Sequence, residues 1–157
     1  MRLNRQSDIA IGILTACARA PGRTIRTAEA AERADASKDS AAQIILLLAR
    51  EGFLTTTRGR QGGIALAVPA REILLGDVLR RIQPDLVQNA CPENGGGSPL
   101  NQIVGAAEAT FFAFLDRFSV ADLASGRTGL PVGKPDCRLT EGPWASRAMD
   151  DATAMAP

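Results

Sequence analysis

Apolar residues between positions 5 and 20 recur at helical spacing. Ile9, Ile13 and Cys17 stand four apart, and Leu14 with Ala18 widens the stripe. Ser7 or Asp8 can cap the start of such a helix, and Pro21-Gly22 stops it. A short helix follows, with Thr27 as its N-cap, and Asp35-Ala36 makes a brief break. Ser37 then caps a longer helix that ends at Gly52. Its apolar positions Ile44, Ile45, Leu47 and Leu48 leave Lys38, Asp39, Ser40 and Gln43 on the opposite, early face.

The period then changes. Phe53 to Thr57 is aromatic and β-branched, "RGRQGG" at 58–63 is turn material, and "IALAV" at 64–68 alternates. That pattern predicts a β-hairpin, closed by Pro69. Residues 73–83 read as another short amphipathic helix, and 89–99 as a Gly/Pro loop. A long apolar-rich helix is expected over 100–118, carrying Leu100, Ile103, Val104, Ala107, Phe111, Phe114, Leu115 and Phe118 at spacings of three or four. "SVADLAS" reads as its last turn. No period survives from Gly126 on, so a disordered tail is expected over 126–157. The fold class is therefore mainly α with one small hairpin. The order helix, short helix, helix, hairpin is that of a winged helix-turn-helix over 1–83. A loop follows over 84–99, then a long C-terminal helical segment over 100–125.

Charge sharpens the picture. Residues 1–80 hold 12 Lys and Arg against 8 Asp and Glu, whereas 81–157 hold 6 against 9. A basic half joined to an acidic half points to a polyanionic partner for the first. The three cysteines, Cys17, Cys91 and Cys137, are an odd count. Residues 1–14 do not read as a secretory signal, and no apolar run is long enough to span a membrane. A reduced, cytoplasmic protein without membrane contact is expected. The chain has no histidine, which removes histidine-based acid–base chemistry and His-containing metal sites. "RGRQGG" lacks the G-K-S/T spacing of a phosphate loop, and no nucleophile stands beside a base, so no enzyme is expected.

The physics of a winged helix suits duplex DNA. The third helix enters the major groove through its N-terminal turn, where Ser37, Lys38, Asp39, Ser40 and Gln43 face the bases. A wing that meets the DNA backbone wants Arg58 and Arg60 at its tip, with Gln61 beside them and Gly59, Gly62 and Gly63 allowing the turn and letting the main chain come close to the DNA. The reading helix is itself barely basic, since Asp39 offsets Lys38. Arg5, Arg26, Arg58 and Arg60 would then supply most phosphate contacts. The competing readings are a merely solvated Gly/Arg turn and, as a function, a winged-helix protein-interaction module that neither senses nor binds DNA.

"MRLNRQSDIAIGIL", "SKDSAAQIILLLAREGFLTTTRGRQGGIAL", "ILLGDVLRRIQP" and "FLDRFSVADL" together resemble the winged-helix repressors typified by NsrR and IscR, over about residues 1–125. The resemblance implies a homodimeric, sequence-specific transcriptional regulator, a repressor, that binds a pseudo-palindromic operator and answers a redox, nitric-oxide or iron–sulfur signal. It makes the 100–118 helix the dimer contact, through Ile103, Phe111, Phe114, Leu115 and Phe118. The sequence supports a dimer independently, because that helix is apolar on more than one face.

Many such proteins hold an iron–sulfur cluster through three cysteines in the loop before that helix. Here only the first, Cys91, is kept, Ser98 falls near the last, and the middle one has no counterpart. No cofactor is therefore expected, and any cluster would have an incomplete ligand set, because soft thiolates are the dominant cluster ligands. Asp8 aligns with an aspartate ligand of NsrR-type members; its other reading is a helix cap. Cys91, Asp8 and Glu93 remain open as an unusual ligand set, and Cys91 equally as a plain redox thiol. Cys17 reads as packing and Cys137 as incidental.

Overall fold

The first helix starts one turn earlier than the caps Ser7 or Asp8 would place it. In a computed structural model of the chain, which describes residues 3–59, 62–84 and 98–129, α1 spans Arg5–Ala18 with Asn4 as N-cap. The Asn4 side-chain oxygen accepts from the Ser7 backbone N–H at 2.8 Å. Ser7 is free to be buried because it is not the cap; Asp8 is exposed in the first turn, where its charge favours the helix N-terminus.

Helix α2 spans Thr27–Arg33 and α3 spans Lys38–Arg50. Thr27 is the first helical residue rather than the cap, a role taken by the backbone of Arg26. The reason lies upstream: Ile25 exchanges both backbone hydrogen bonds with Ile64, at 2.9 and 2.8 Å, and holds the chain extended up to Arg26. The turn between α2 and α3 passes through Asp35 at φ 49°, the left-handed region that Asp tolerates better than most residues. Ser37 caps α3 as expected, its hydroxyl accepting from Ser40 N at 3.1 Å.

Strands β1 (Leu54–Thr57) and β2 (Gly63–Leu66) pair antiparallel, Leu54 opposite Leu66 and Thr57 opposite Gly63. A 3-10 turn at Ala70–Glu72 leads to α4, Leu75–Ile82. Ile13, Leu14, Ile25, Leu48, Ile73, Val78 and Val120 are almost fully enclosed and form the centre of one core. Burying each such side chain contributes about 1.5–3 kcal/mol before chain entropy is charged against it.

The C-terminal segment departs from a single helix over 100–118 with a trailing turn. α5 spans Pro99–Leu115, and a separate α6 covers Val120–Ser125. Ser119 and Asp122 build a reciprocal capping box that starts α6 anew. Between the two helices the chain is stitched back to the winged domain: Leu75 N–H donates to Phe118 O at 3.0 Å, and Val120 N–H to Ile73 O at 2.9 Å. α6 then packs on α1 and the 3-10 turn.

Two polar clusters join distant parts of the sequence. Arg80 grips Asp116 through two parallel bonds of 2.9 and 2.7 Å, touches Asp77 at 3.1 Å, and lies over the Phe112 ring at 4.6 Å. Its guanidinium pKa is raised, first by the hydrogen bond to Asp116. Gln83, at the end of α4, accepts from Ser7 Oγ at 3.0 Å and from Asn4 N–H at 3.1 Å.

Candidate nucleic-acid interface

Helix α3 is amphipathic in the sense that positions a reading surface. Ala41, Ile44, Ile45 and Leu48 are buried, so the opposite side must face outward. Ser37, Lys38, Asp39 and Gln43 are exposed, and Ser40 is half-buried. The two serines are engaged with each other: Ser37 Oγ donates to Ser40 Oγ at 2.9 Å while capping the helix. Lys38, Asp39 and Gln43 are thus the side chains of this set with free reach.

The wing stands next to α3. Arg58 and Gly59 are exposed at the tip of the hairpin. Arg60 and Gln61 lie outside the described residues. Gly59 has φ 110°, where a side chain would be strained. Gly62 and Gly63 are needed for want of space. A Cβ on Gly63 would meet Ile25 O at 2.5 Å, and one on Gly62 would meet Thr57 O at 2.3 Å. Their smallness serves close packing inside the hairpin and against the Ile25 backbone. Arg26, Thr27, Ile45, Thr56 and Gly59 line a groove of about 420 Å³ between the start of α2, α3 and the wing.

The cations sort by their partners. Arg26, Lys38, Arg50 and Arg58 have no ion-pair partner among the described residues and sit on α3, the wing and the turn before α2. Arg33 and Arg23 both bind Glu29, at 2.9 and 2.8 Å, which lowers the Glu29 pKa through the Arg23 hydrogen bond first. Arg5, expected at the phosphates, is exposed and reaches Asp35 through its carbonyl and, at 3.4 Å, its carboxylate. It braces the turn that presents α3. Arg50 lies on the same exposed side of α3 and was missed because it sits at the helix end, far from the capped first turn.

The residues expected at a dimer contact divide. Ile103 and Phe114 are exposed, at 67% and 44%, together with Leu100 and Val104. Leu115 and Phe118, by contrast, are half-buried against the winged-domain core of the same chain, and Phe111 is half-buried edge-on to Phe112. The stitching of residues 118–120 to Ile73 and Leu75 turns them inward.

Residues 3–126 match Rrf2, a family of iron-dependent transcriptional regulators. The chain belongs to the Rrf2 family. It is a DNA-binding transcriptional regulator. Solved structures share its fold. CymR (YrzC), the global cysteine regulator of B. subtilis, superposes with TM-score 0.69 at 19% identity, covering 80% of this chain and 98% of that one. IscR from T. potens gives 0.69 at 20% identity, covering 86% and 94%. The oxidised form of Staphylococcus aureus CymR gives 0.65 at 23%, covering 79% and 96%.

The family's iron dependence meets a poor donor set here. Cys91, Glu93 and Cys137 lie outside the described residues. Cys17 is buried, its thiol pushed up to about 11 by burial first and Glu29 second. Ser98 spends its side-chain oxygen capping α5, accepting from Asn101 N–H at 3.4 Å. Among the described residues no three Cys, Asp or Glu side chains converge on a metal position, and the chain has no histidine. One thiol in the loop does not fit a conventional cluster. No helix among the described residues is long and apolar enough to cross a membrane.

Proposed function

We propose that this Rrf2 protein is a homodimeric cytoplasmic repressor. It docks the exposed face of α3 in the major groove and lays the wing on the flanking phosphates. The observation that carries this reading is the placement of the unpaired cations. Arg26, Lys38, Arg50 and Arg58, all exposed and without an ion-pair partner among the described residues, lie on α3, the wing and the turn before α2. Arg5, Arg23, Arg33, Arg80 and Arg81 are engaged within the chain, and Arg19, Arg117 and Arg127, also without an ion-pair partner among the described residues, lie outside these elements. Phosphate contacts position such a protein, and Gln43, Lys38 and Asp39 are placed to read base edges. The exposed Leu100, Ile103, Val104 and Phe114 on α5 supply an apolar surface for a second copy, so the operator is a pseudo-palindrome.

The signal enters at residues 85–97. That segment leaves α4 at Gln83–Pro84, where Gln83 is bound to Ser7 and Asn4 of α1, and rejoins at the Ser98 cap of α5. Its thiol, Cys91, is the sensing group, through reversible oxidation rather than through a conventional cluster. Asp8, exposed in the first turn of α1, has no assigned part in that step. Fluorescence anisotropy on promoter duplexes, with reduced and peroxide-treated protein, tests the reading. Reduced wild type should bind with a steep salt dependence, and Arg58→Ala should weaken binding on every sequence and lower the salt slope by about one. A Cys91→Ser protein that responds to peroxide like wild type would remove the thiol from the account.

A further inference from the structure

Leu46 does not belong with the other leucines of α3. Ile44, Ile45 and Leu48 are no more than 5% exposed, whereas Leu46 is 65% exposed. It lies in the stripe Asp39, Gln43, Leu46, Arg50, all exposed and spaced by four, three and four residues, which is one face of a helix. That face is opposite the buried Ala41, Ile44, Ile45 and Leu48. It is therefore the face α3 presents to whatever the helix reads.

We propose that Leu46 packs on the C5 methyl of a thymine in the major groove, one base step from the pair that Gln43 contacts. The inference rests on the DNA docking given above and assigns a base preference within it. The thymine methyl is the apolar feature of the major-groove edge, and apolar side chains mark it. The spacing fits: three residues of helix advance about 4.5 Å, close to the ~3.4 Å between successive bases. The surroundings argue against a protein partner on this face. Leu46 is a single apolar side chain among Asp39, Gln43 and Arg50, whereas a protein interface needs a contiguous apolar patch. One leucine matches one methyl. Gln43 beside it is suited to a bidentate contact with adenine, so the pair favours an A·T-containing step.

The test uses the full-length protein and an operator that it selects itself from a random duplex library. Each thymine is replaced in turn by deoxyuridine, which lacks only the methyl, and binding is followed by anisotropy. In each half-site one replacement should weaken wild type by about three- to fourfold, the cost of one unburied methyl. Leu46→Ala should be indifferent to that same replacement while keeping the wild-type salt slope. Because Leu46 is exposed, its truncation leaves the core intact, and an unchanged urea midpoint confirms that the fold is kept. If wild type binds with a steep salt slope but ignores every deoxyuridine, or if Leu46→Ala keeps the full penalty, the assignment is wrong and the DNA docking stands. Failure to bind any duplex overturns both.

Discussion

Replacing Gln83 by leucine isolates the contact that ties the start of α1 to the end of α4. Gln83 is 9% exposed and Ser7 is fully enclosed. Leucine keeps most of the bulk but accepts no hydrogen bond, so the Ser7 hydroxyl and the Asn4 N–H lose bonds of 3.0 and 3.1 Å. Each bond contributes a net ~1 kcal/mol, and a buried hydroxyl left without an acceptor costs more than the bond itself, so Gln83→Leu should destabilise by about 2–3 kcal/mol. Ser7→Ala should cost only about 1 kcal/mol, since Gln83 still accepts from Asn4. In the double variant no orphaned hydroxyl remains. Its cost should therefore fall below the sum of the singles by about 1 kcal/mol. Urea denaturation at one fixed protein concentration is the appropriate assay, because dimer formation shifts apparent stability. Strict additivity, or a Gln83→Leu cost below about 0.5 kcal/mol, would refute the reasoning.

Three further outcomes follow from the geometry. Asp116→Asn keeps its size but weakens the two-pronged grip on Arg80, a pair about one-third exposed on each side, and should cost about 1 kcal/mol; sedimentation equilibrium should show a weaker dimer, because this contact seats α5 on α4. Cys17 should resist iodoacetamide at pH 8 in the folded chain and react in urea, read by peptide mass spectrometry. Its folded pKa of about 11 lies above the model-peptide value of 9.0, so its contribution is complete below pH 9 and is lost as pH rises through 11. The loss is about 2–3 kcal/mol and should vanish in Cys17→Ala. Gly59→Ala should destabilise by about 1–2 kcal/mol, because alanine at φ 110° is strained, and should weaken DNA binding by shifting the wing.

The order of elements was legible because it rests on local periodicity. The stripe of α1, the Ser37 cap and the alternating hairpin are each decided within a few residues. What was not legible depends on contacts across the chain. Asn4, Ser7 and Asp8 are all competent caps, and the choice among them goes with Ser7 pairing to Gln83, 76 positions away. Thr27 loses its capping role to a backbone bridge between Ile25 and Ile64. Arg5 is exposed in the sequence's own terms but finds Asp35 in space. The break between α5 and α6 is different: Ser119 and Asp122 already stand at capping-box spacing, and the apolar run through Phe118 masked that signal. The same apolar run hid that Leu115 and Phe118 also pack against the core of their own chain. Leu46 drew no reading of its own beside the apolar positions Ile44, Ile45, Leu47 and Leu48, and its exposure shows only once the helix is placed.

The proposed two-fold dimer presents two α3 helices and two wings to one face of a duplex. Hydroxyl-radical footprinting of the reduced protein on its selected operator tests that most directly. Two protected tracts of equal depth, related by a dyad and separated by a whole number of helical turns, are expected, and in Arg58→Ala the flanking protection from the wings should fade while the central tracts persist. A single tract, or protection without two-fold symmetry, would contradict the claim.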